Sequence, residues 1–188
     1  MRNVILLQGA GETQKSFWLP YVKKELEKRE FKVWLPQLLG IENPDIKVIL
    51  PFVLKNGRFD KDTVIIAHSA GCPLTLAVLQ NLKVKIKQVI LVAGYWRKLP
   101  PPGANNMLQK SYDWKKIGNN ATNFVFINSD NDPWGCSDQQ GREMFDKLGG
   151  IHIVKHGEGH MGSNMFKQPY KKFPLLIQLV EDNLWCKA

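Results

Sequence analysis

Ser69 lies at the centre of residues 67–71 (Ala-His-Ser-Ala-Gly), between a β-branched run and an apolar helical pattern. A serine on a sharp strand-to-helix turn projects its hydroxyl clear of the sheet, and small residues two positions before and after it relieve the crowding. The N–H groups that begin the following helix, including that of Ala70, can bind a developing oxyanion. The segment therefore predicts a nucleophile elbow; a serine that only caps a helix is the alternative.

A serine nucleophile needs a base, and the chain has four histidines. Adjacent residues leaving a strand point to opposite sides, so we expect His68 to be a packing residue. His152 lies inside the last predicted strand. His160, in a glycine-rich loop beyond that strand, is the predicted base, and His156 is the second candidate. Their spacing of four would suit a metal on a helix, but the intervening glycines argue against a helix, and we predict no metal.

The matching carboxylate is expected in residues 129–134 (Ser-Asp-Asn-Asp-Pro-Trp), after the preceding predicted strand. Residues of these types also form ordinary surface turns. Asp132 is preferred to Asp130 because a proline fixes the backbone beside it. The chain order serine, aspartate, histidine is that of α/β-hydrolases. Together these features predict an acyl-transfer triad of Ser69, Asp132 and His160.

Residues 8–11 (Gln-Gly-Ala-Gly) follow the first apolar run. No third glycine stands at the dinucleotide spacing, and no Gly-Lys-Ser/Thr phosphate loop is present, so we predict no cofactor. Small residues let the backbone approach a substrate closely. The N–H of Ala10, give or take one residue, is therefore predicted as an oxyanion donor that acts together with the N–H of Ala70.

The elements that must position these residues alternate between short apolar runs and amphipathic segments. This order is typical of βαβ units and predicts an α/β fold with about six parallel strands, helices on both faces and no large lid. The predicted strands are residues 3–7, 31–35, 63–67, 88–92, 123–127 and 151–154. The predicted helices are residues 17–29, 46–54, 70–82, 137–148 and 173–184. The helix over 137–148 is opened by a serine cap.

Residues 94–120 interrupt this alternation with a proline run and only a weak helical signal. We interpret them as an irregular excursion over the carboxyl edge of the sheet, where open α/β folds bind ligands. Aromatic and apolar side chains in and around it are expected to wall a small acyl pocket, with ordinary core packing as the alternative for each. They are Tyr95, Trp96, Trp114, Trp134 and Met161.

Composition predicts one soluble domain over residues 1–188, with 44% hydrophobic and 23% charged residues. The three cysteines, Cys72, Cys136 and Cys186, are scattered, which favours neither disulfides nor a zinc site and indicates a reducing compartment. Since neither a signal peptide nor a membrane span is recognisable, we expect a cytoplasmic protein.

The net charge of +9 comes largely from lysines spread along the chain. Nucleic-acid binders more often concentrate arginine and aromatic residues on one element. We therefore interpret the charge as a solvated surface, and we expect neither a nucleic-acid partner nor a membrane partner.

The sequence resembles the retinoblastoma-binding protein 9-like (YdeN-like) small serine hydrolases over nearly its whole length. The resemblance implies a compact α/β-hydrolase without the first strands of larger members, and a triad of Ser69, Asp132 and His160, and it favours His160 over His156. It is carried by the early glycine-rich loop, the aromatic-led residues 17–26, Pro44-Asp45, the elbow, residues 131–134 and Gly159-His160.

Three departures from that family bear on pocket shape: Gln8 where many members have histidine, Ala67 in place of glycine, and Gly135-Cys136 in place of Val-Pro. The Leu-x-Cys-x-Glu motif linked to retinoblastoma-protein binding is absent, because its nearest match, residues 184–188, lacks the glutamate. We therefore do not expect that partner. The predicted activity is hydrolysis of carboxylic esters or related small acyl compounds, and the alternative is a non-catalytic interaction module on the same fold.

Overall fold

The computed structural model describes residues 2–181, in which six strands form one sheet. The strands are β1 (Asn3–Leu7), β2 (Lys32–Trp34), β3 (Thr63–His68), β4 (Ile86–Val92), β5 (Ala121–Ser129) and β6 (Ile151–Lys155). All neighbours are parallel, as the sequence predicts, and the strand order is β2-β1-β3-β4-β5-β6. The loops that follow β1, β3, β5 and β6 therefore leave the sheet at one common edge.

Helices cover both faces of this sheet. They are α1 (Leu19–Glu27), α2 (Ile46–Asn56), α3 (Gly71–Asn81), α4 (Trp114–Asn119), α5 (Asp138–Leu148) and α6 (Pro174–Glu181). Helices α1 and α6 pack in one hydrophobic cluster, and α2 to α5 contribute to the other. None of the helices in the described part of the chain is long and apolar enough to span a membrane.

Alternating side chains of the central strands fill the two clusters. In β3, Val64 and Ile66 pack on the α1 and α6 side, whereas Ile65 and Ala67 pack on the α3 side. All four are buried, and fully burying a valine or isoleucine side chain stabilises a fold by about 1.5–3 kcal/mol. A strand buried on both faces reads as a continuous apolar run, which explains why β3 is recognisable in the sequence.

The structure differs from the predicted elements at several points. The segment predicted as irregular, residues 94–120, contains α4, which begins where the Asp113 carboxylate accepts the Lys116 N–H at 2.9 Å. Ser137 precedes α5 as predicted, but its side chain forms no capping hydrogen bond. The predicted closing helix corresponds to α6 up to Glu181, and its last three predicted positions, together with residues 184–188, lie outside the described residues.

Candidate active site

Ser69 occupies a strained turn between β3 and α3. Its φ of 49° lies in the left-handed region, its N–H donates to the Val92 carbonyl at 3.0 Å, and its own carbonyl accepts the Cys72 N–H at 2.9 Å. A Cβ added to Gly71 would lie 2.5 Å from the Leu7 carbonyl oxygen. The glycine two residues after the serine is therefore needed because the end of β1 passes directly beside the turn.

His160 and Asp132 contact each other on the loops that follow β6 and β5. His160 Nδ1 lies 2.8 Å from Asp132 Oδ2, and the Asp132 side chain has no exposed surface. The second carboxylate oxygen, Oδ1, accepts the Trp134 N–H at 2.8 Å. Since a carboxylate only accepts hydrogen bonds, Nδ1 carries the proton and Nε2 is left as the basic nitrogen of His160.

Two amide side chains, which the sequence analysis did not identify, hold the histidine loop in place. The Asn131 side-chain oxygen accepts the Gly159 N–H at 2.8 Å, and that of Gln168 accepts the His160 N–H at 2.8 Å. A Cβ on Gly159 would lie 1.8 Å from Gln168 Nε2, and the Gly159 φ is 57°. Asn131 adjoins the predicted aspartate, whereas no sequence signal distinguishes Gln168.

The second-choice residues also pair with each other, but on the surface. His156 Nδ1 contacts Asp130 Oδ2, and the His156 side chain is 96% exposed. The other Asp130 oxygen accepts the Gly157 N–H at 2.8 Å, and this hydrogen bond is the main cause of a lowered pKa of Asp130. Residues 2–181 therefore contain two aspartate–histidine contacts at the same sheet edge, and of these two only the Asp132–His160 pair is buried.

Ser69 and His160 line the same cleft, which has a volume of about 480 Å³. Ala10, Tyr95 and Trp134 also line it, where the sequence analysis places them. In the described part of the chain the Ser69 hydroxyl forms no hydrogen bond with the His160 ring. The cleft is thus lined by both Ser69 and His160.

Three other predicted pocket residues lie elsewhere. Trp96 and Trp114 pack edge to face at 5.2 Å, and the Lys147 ammonium lies over both rings. Both rings pack against the hydrophobic cluster on the α2–α5 side of the sheet, and neither lines the cleft. Met161 is fully buried and does not line the cleft, although its carbonyl oxygen accepts the indole N–H of Trp18 at 3.0 Å.

Backbone donors are available on two sides of Ser69. Ala70 is the N-cap residue of α3, and Ala10 lines the cleft on the loop after β1. Within residues 2–181 neither N–H donates a hydrogen bond to another protein group. Both N–H groups, which the sequence analysis predicts as oxyanion donors, are thus available to a ligand, and the helix N-terminus adds a favourable dipole for an anion.

Burial shapes the protonation of this site. It lowers the pKa of His160, and the electrostatic influence of the nearby His68 acts in the same direction, whereas the hydrogen bond with Asp132 opposes both. The imidazole is therefore kept neutral, which is the form that accepts a proton.

Asp132, Cys136 and His160 place possible metal ligands within 4.8 Å of one another. Burial raises the pKa of the Cys136 thiol well above its ordinary value, and thiolate is the form that binds metals. The histidine nitrogen and the carboxylate oxygen already bond each other. This set is therefore better suited to a hydrogen-bonded pair beside a neutral thiol than to a metal.

A parallel sheet of this order, with a serine at the β3–α3 turn, defines an α/β-hydrolase. The chain belongs to the serine hydrolase family, whose sequence profile matches residues 4–181. The putative hydrolase YdeN of Bacillus subtilis is 26% identical over 166 residues, which cover 85% of each chain. Serine hydrolase RBBP9 of Rattus norvegicus is 25% identical over 169 residues, which cover 85% of this chain and 86% of that protein.

The fold is also found in a solved structure. The crystal structure of the ydeN gene product from B. subtilis superimposes with a TM-score of 0.84 at 20% identity, and the match covers 96% of this chain and 97% of that chain. The family and the fold together establish the chain as a hydrolase of the α/β class.

Proposed function

We propose that this hydrolase cleaves small carboxylic esters, with Ser69 as nucleophile, His160 as general base and acid, and Asp132 as the residue that orients the histidine. The observation that carries the proposal is the 2.8 Å contact between Asp132 Oδ2 and His160 Nδ1 beside the cleft that Ser69 lines. This contact supports the proposal because it leaves Nε2 of His160 free to take a proton.

In the proposed reaction, His160 Nε2 takes the Ser69 proton as Ser69 Oγ attacks the ester carbonyl carbon. The N–H groups of Ala10 and Ala70 bind the oxyanion of the tetrahedral intermediate. Its collapse breaks the bond to the alcohol, which leaves with the proton from His160. Water then attacks the acyl-enzyme with His160 again as base, which releases the acid and restores the serine. Asp132 stabilises the imidazolium during both halves.

The serine–histidine hydrogen bond belongs to the substrate complex in this proposal. Catalytic hydrogen bonds are often long or poorly aligned in a free enzyme and tighten when the substrate binds.

The cleft lining favours substrates without a negative charge. Its apolar walls include Phe17, Leu99 and Trp134, and its acidic side chains are Glu12 and Glu42. No lysine or arginine of residues 2–181 lines it, although the chain carries 26 of these residues. A neutral, partly apolar acyl group therefore fits this cleft better than an anionic one.

A fluorophosphonate probe tests the nucleophile directly. We expect labelling of the wild-type protein, loss of labelling in Ser69→Ala, and retained labelling in Ser163→Ala, because Ser163 is another serine of the same cleft. A folded wild-type protein that is not labelled would favour the non-catalytic interaction module. Rates with p-nitrophenyl esters of graded chain length then define the acyl preference.

A further inference from the structure

A continuous set of buried contacts begins at the wall of the cleft, at Glu12, and joins three loops. The Gly9 N–H donates to Glu12 Oε2 at 2.9 Å, Glu12 Oε1 contacts His68 Nδ1, and His68 Nε2 lies 2.9 Å from the carbonyl oxygen of His160. Glu12 is 4% exposed and His68 is fully buried. The contacts therefore connect the loop after β1, the elbow and the loop after β6.

These partners determine the protons on His68. A backbone carbonyl only accepts hydrogen bonds, so Nε2 carries a proton. Glu12 already accepts the Gly9 N–H on its other oxygen, and an ionised carboxylate accepts hydrogen bonds on both oxygens. Nδ1 therefore carries a proton as well. With both nitrogens protonated, His68 is a cation and Glu12 is its counterion.

The surroundings of His68 are consistent with this charge state. Burial lowers the pKa of His68, but the charge and hydrogen bond of Glu12, together with the hydrogen bond to the His160 carbonyl, act upward, and the net shift is upward. Asp132 adds a smaller attraction. Three rings also lie near His68, those of Phe17, Trp18 and His160, with centroids 6.4 Å, 5.6 Å and 4.9 Å away respectively.

The pair lies where it controls the geometry around Ser69. A Cβ added to Gly9 would lie 2.9 Å from the Ser69 Cβ, so the loop after β1 is pressed against the serine. Glu12 anchors that loop immediately before the Ala10 N–H, and His68 anchors the backbone of His160. Charge-assisted hydrogen bonds are shorter and about twice as strong as neutral ones, which suits them to fixing these loops.

We propose that Glu12 and His68 form a buried ion pair whose imidazolium positions His160 and the Gly9–Ala10 backbone around Ser69. The role rests on the proposed function, because the geometry it fixes is that of the Ser69–His160 reaction. Neither residue touches the reacting atoms, so both are positioning residues. The cation also opposes protonation of the neighbouring His160.

The charge state is measured without any activity assay. In protein labelled with ¹⁵N-histidine, we expect one histidine to keep both ring nitrogens protonated at pH 8, where an ordinary imidazole is neutral. Loss of this doubly protonated signal in His68→Gln assigns the signal to His68. If His68→Gln does not fold, persistence of the signal in each of His152→Gln, His156→Gln and His160→Gln assigns it by elimination. A His68 ring with one unprotonated nitrogen at pH 8 would overturn the ion pair.

Kinetics test the positioning role. In Glu12→Gln, we expect the doubly protonated signal at pH 8 to be lost and kcat for a p-nitrophenyl ester to fall about 10- to 100-fold, with KM within about threefold of wild type. The matched control is Asp130→Asn, which alters the exposed carboxylate–histidine contact and should leave kcat within about threefold.

A folded Glu12→Gln protein with wild-type kcat, or with a changed KM alone, would overturn the positioning role. A wild-type protein that fluorophosphonate does not label would overturn the proposed function and the positioning role with it. The histidine spectrum decides the charge state in either case, so the two failures are distinguishable.

Discussion

Replacing Asp132 with asparagine should cost more activity than the change of one atom suggests. Both carboxylate oxygens are used: Oδ1 accepts the Trp134 N–H and Oδ2 accepts from His160 Nδ1, each at 2.8 Å. Asparagine has only one oxygen. If that oxygen keeps the Trp134 hydrogen bond, the side-chain NH₂ faces Nδ1, which must then become an acceptor. The His160 proton moves to Nε2, and the base can no longer take a proton from Ser69.

The expected loss is about 10⁴ in kcat, the size seen when this substitution is made in another triad enzyme, or about 5.4 kcal/mol at 1.36 kcal/mol per tenfold. Steady-state hydrolysis of a p-nitrophenyl ester measures it, with an unfolding curve to show that the variant is folded. Asp130→Asn is the control, because Asp130 pairs with the exposed His156. A loss below tenfold for Asp132→Asn, or a larger loss for Asp130→Asn, would refute the assignment of the acid.

Three further predictions follow from the same geometry. Gly71→Ala should destabilise the fold by about 1–3 kcal/mol in urea unfolding, because its Cβ would lie 2.5 Å from the Leu7 carbonyl oxygen. The control Gly118→Ala should be neutral or stabilising, because its Cβ would make only an ordinary 3.6 Å contact. The acidic limb of kcat/KM against pH should lie below 6.5, because burial lowers the pKa of His160 and keeps it neutral in more acidic solution; a limb centred above 6.5 would contradict this. Glu42→Lys should raise kcat/KM about fivefold for an ester with a carboxylate in its acyl chain, relative to a matched neutral ester. If the ratio of kcat/KM for the two esters does not change, the Glu42 carboxylate does not act on the substrate.

The elbow was predictable because its causes are local. A β-branched run, a serine and small residues at fixed spacing are all read from residues 63–71, and the structure places Ser69 on the expected turn. The parallel sheet was predictable for a related reason, since β3 and its neighbours are buried on both faces and have continuous apolar sequences. The helix α4 was missed because its six residues carry too short a periodic pattern.

The choice between the two aspartate–histidine pairs depends on burial, which local sequence does not encode. Asp130 and His156 have the same chemistry and nearly the same chain separation as Asp132 and His160, and both pairs are in contact. The contact of Glu12 with His68 joins residues 56 positions apart, and no pattern in either segment indicates it. Only the packing of separate loops decides such contacts.

Backbone strain is concentrated around the cleft. Four non-glycine residues with positive φ lie there or beside it: Phe17 at 48°, Ser69 at 49°, Ala93 at 48° and Met161 at 52°. Each such conformation costs on the order of 1–3 kcal/mol and persists only where the surrounding structure determines it. For three of the four the determinants are identifiable, because strand-to-loop hydrogen bonds hold Ser69 and Ala93, and the Trp18 indole holds the carbonyl of Met161. The buried groups at the sheet edge therefore keep the loops in conformations that the loop sequences alone would not adopt, and the serine and histidine of the cleft depend on that support.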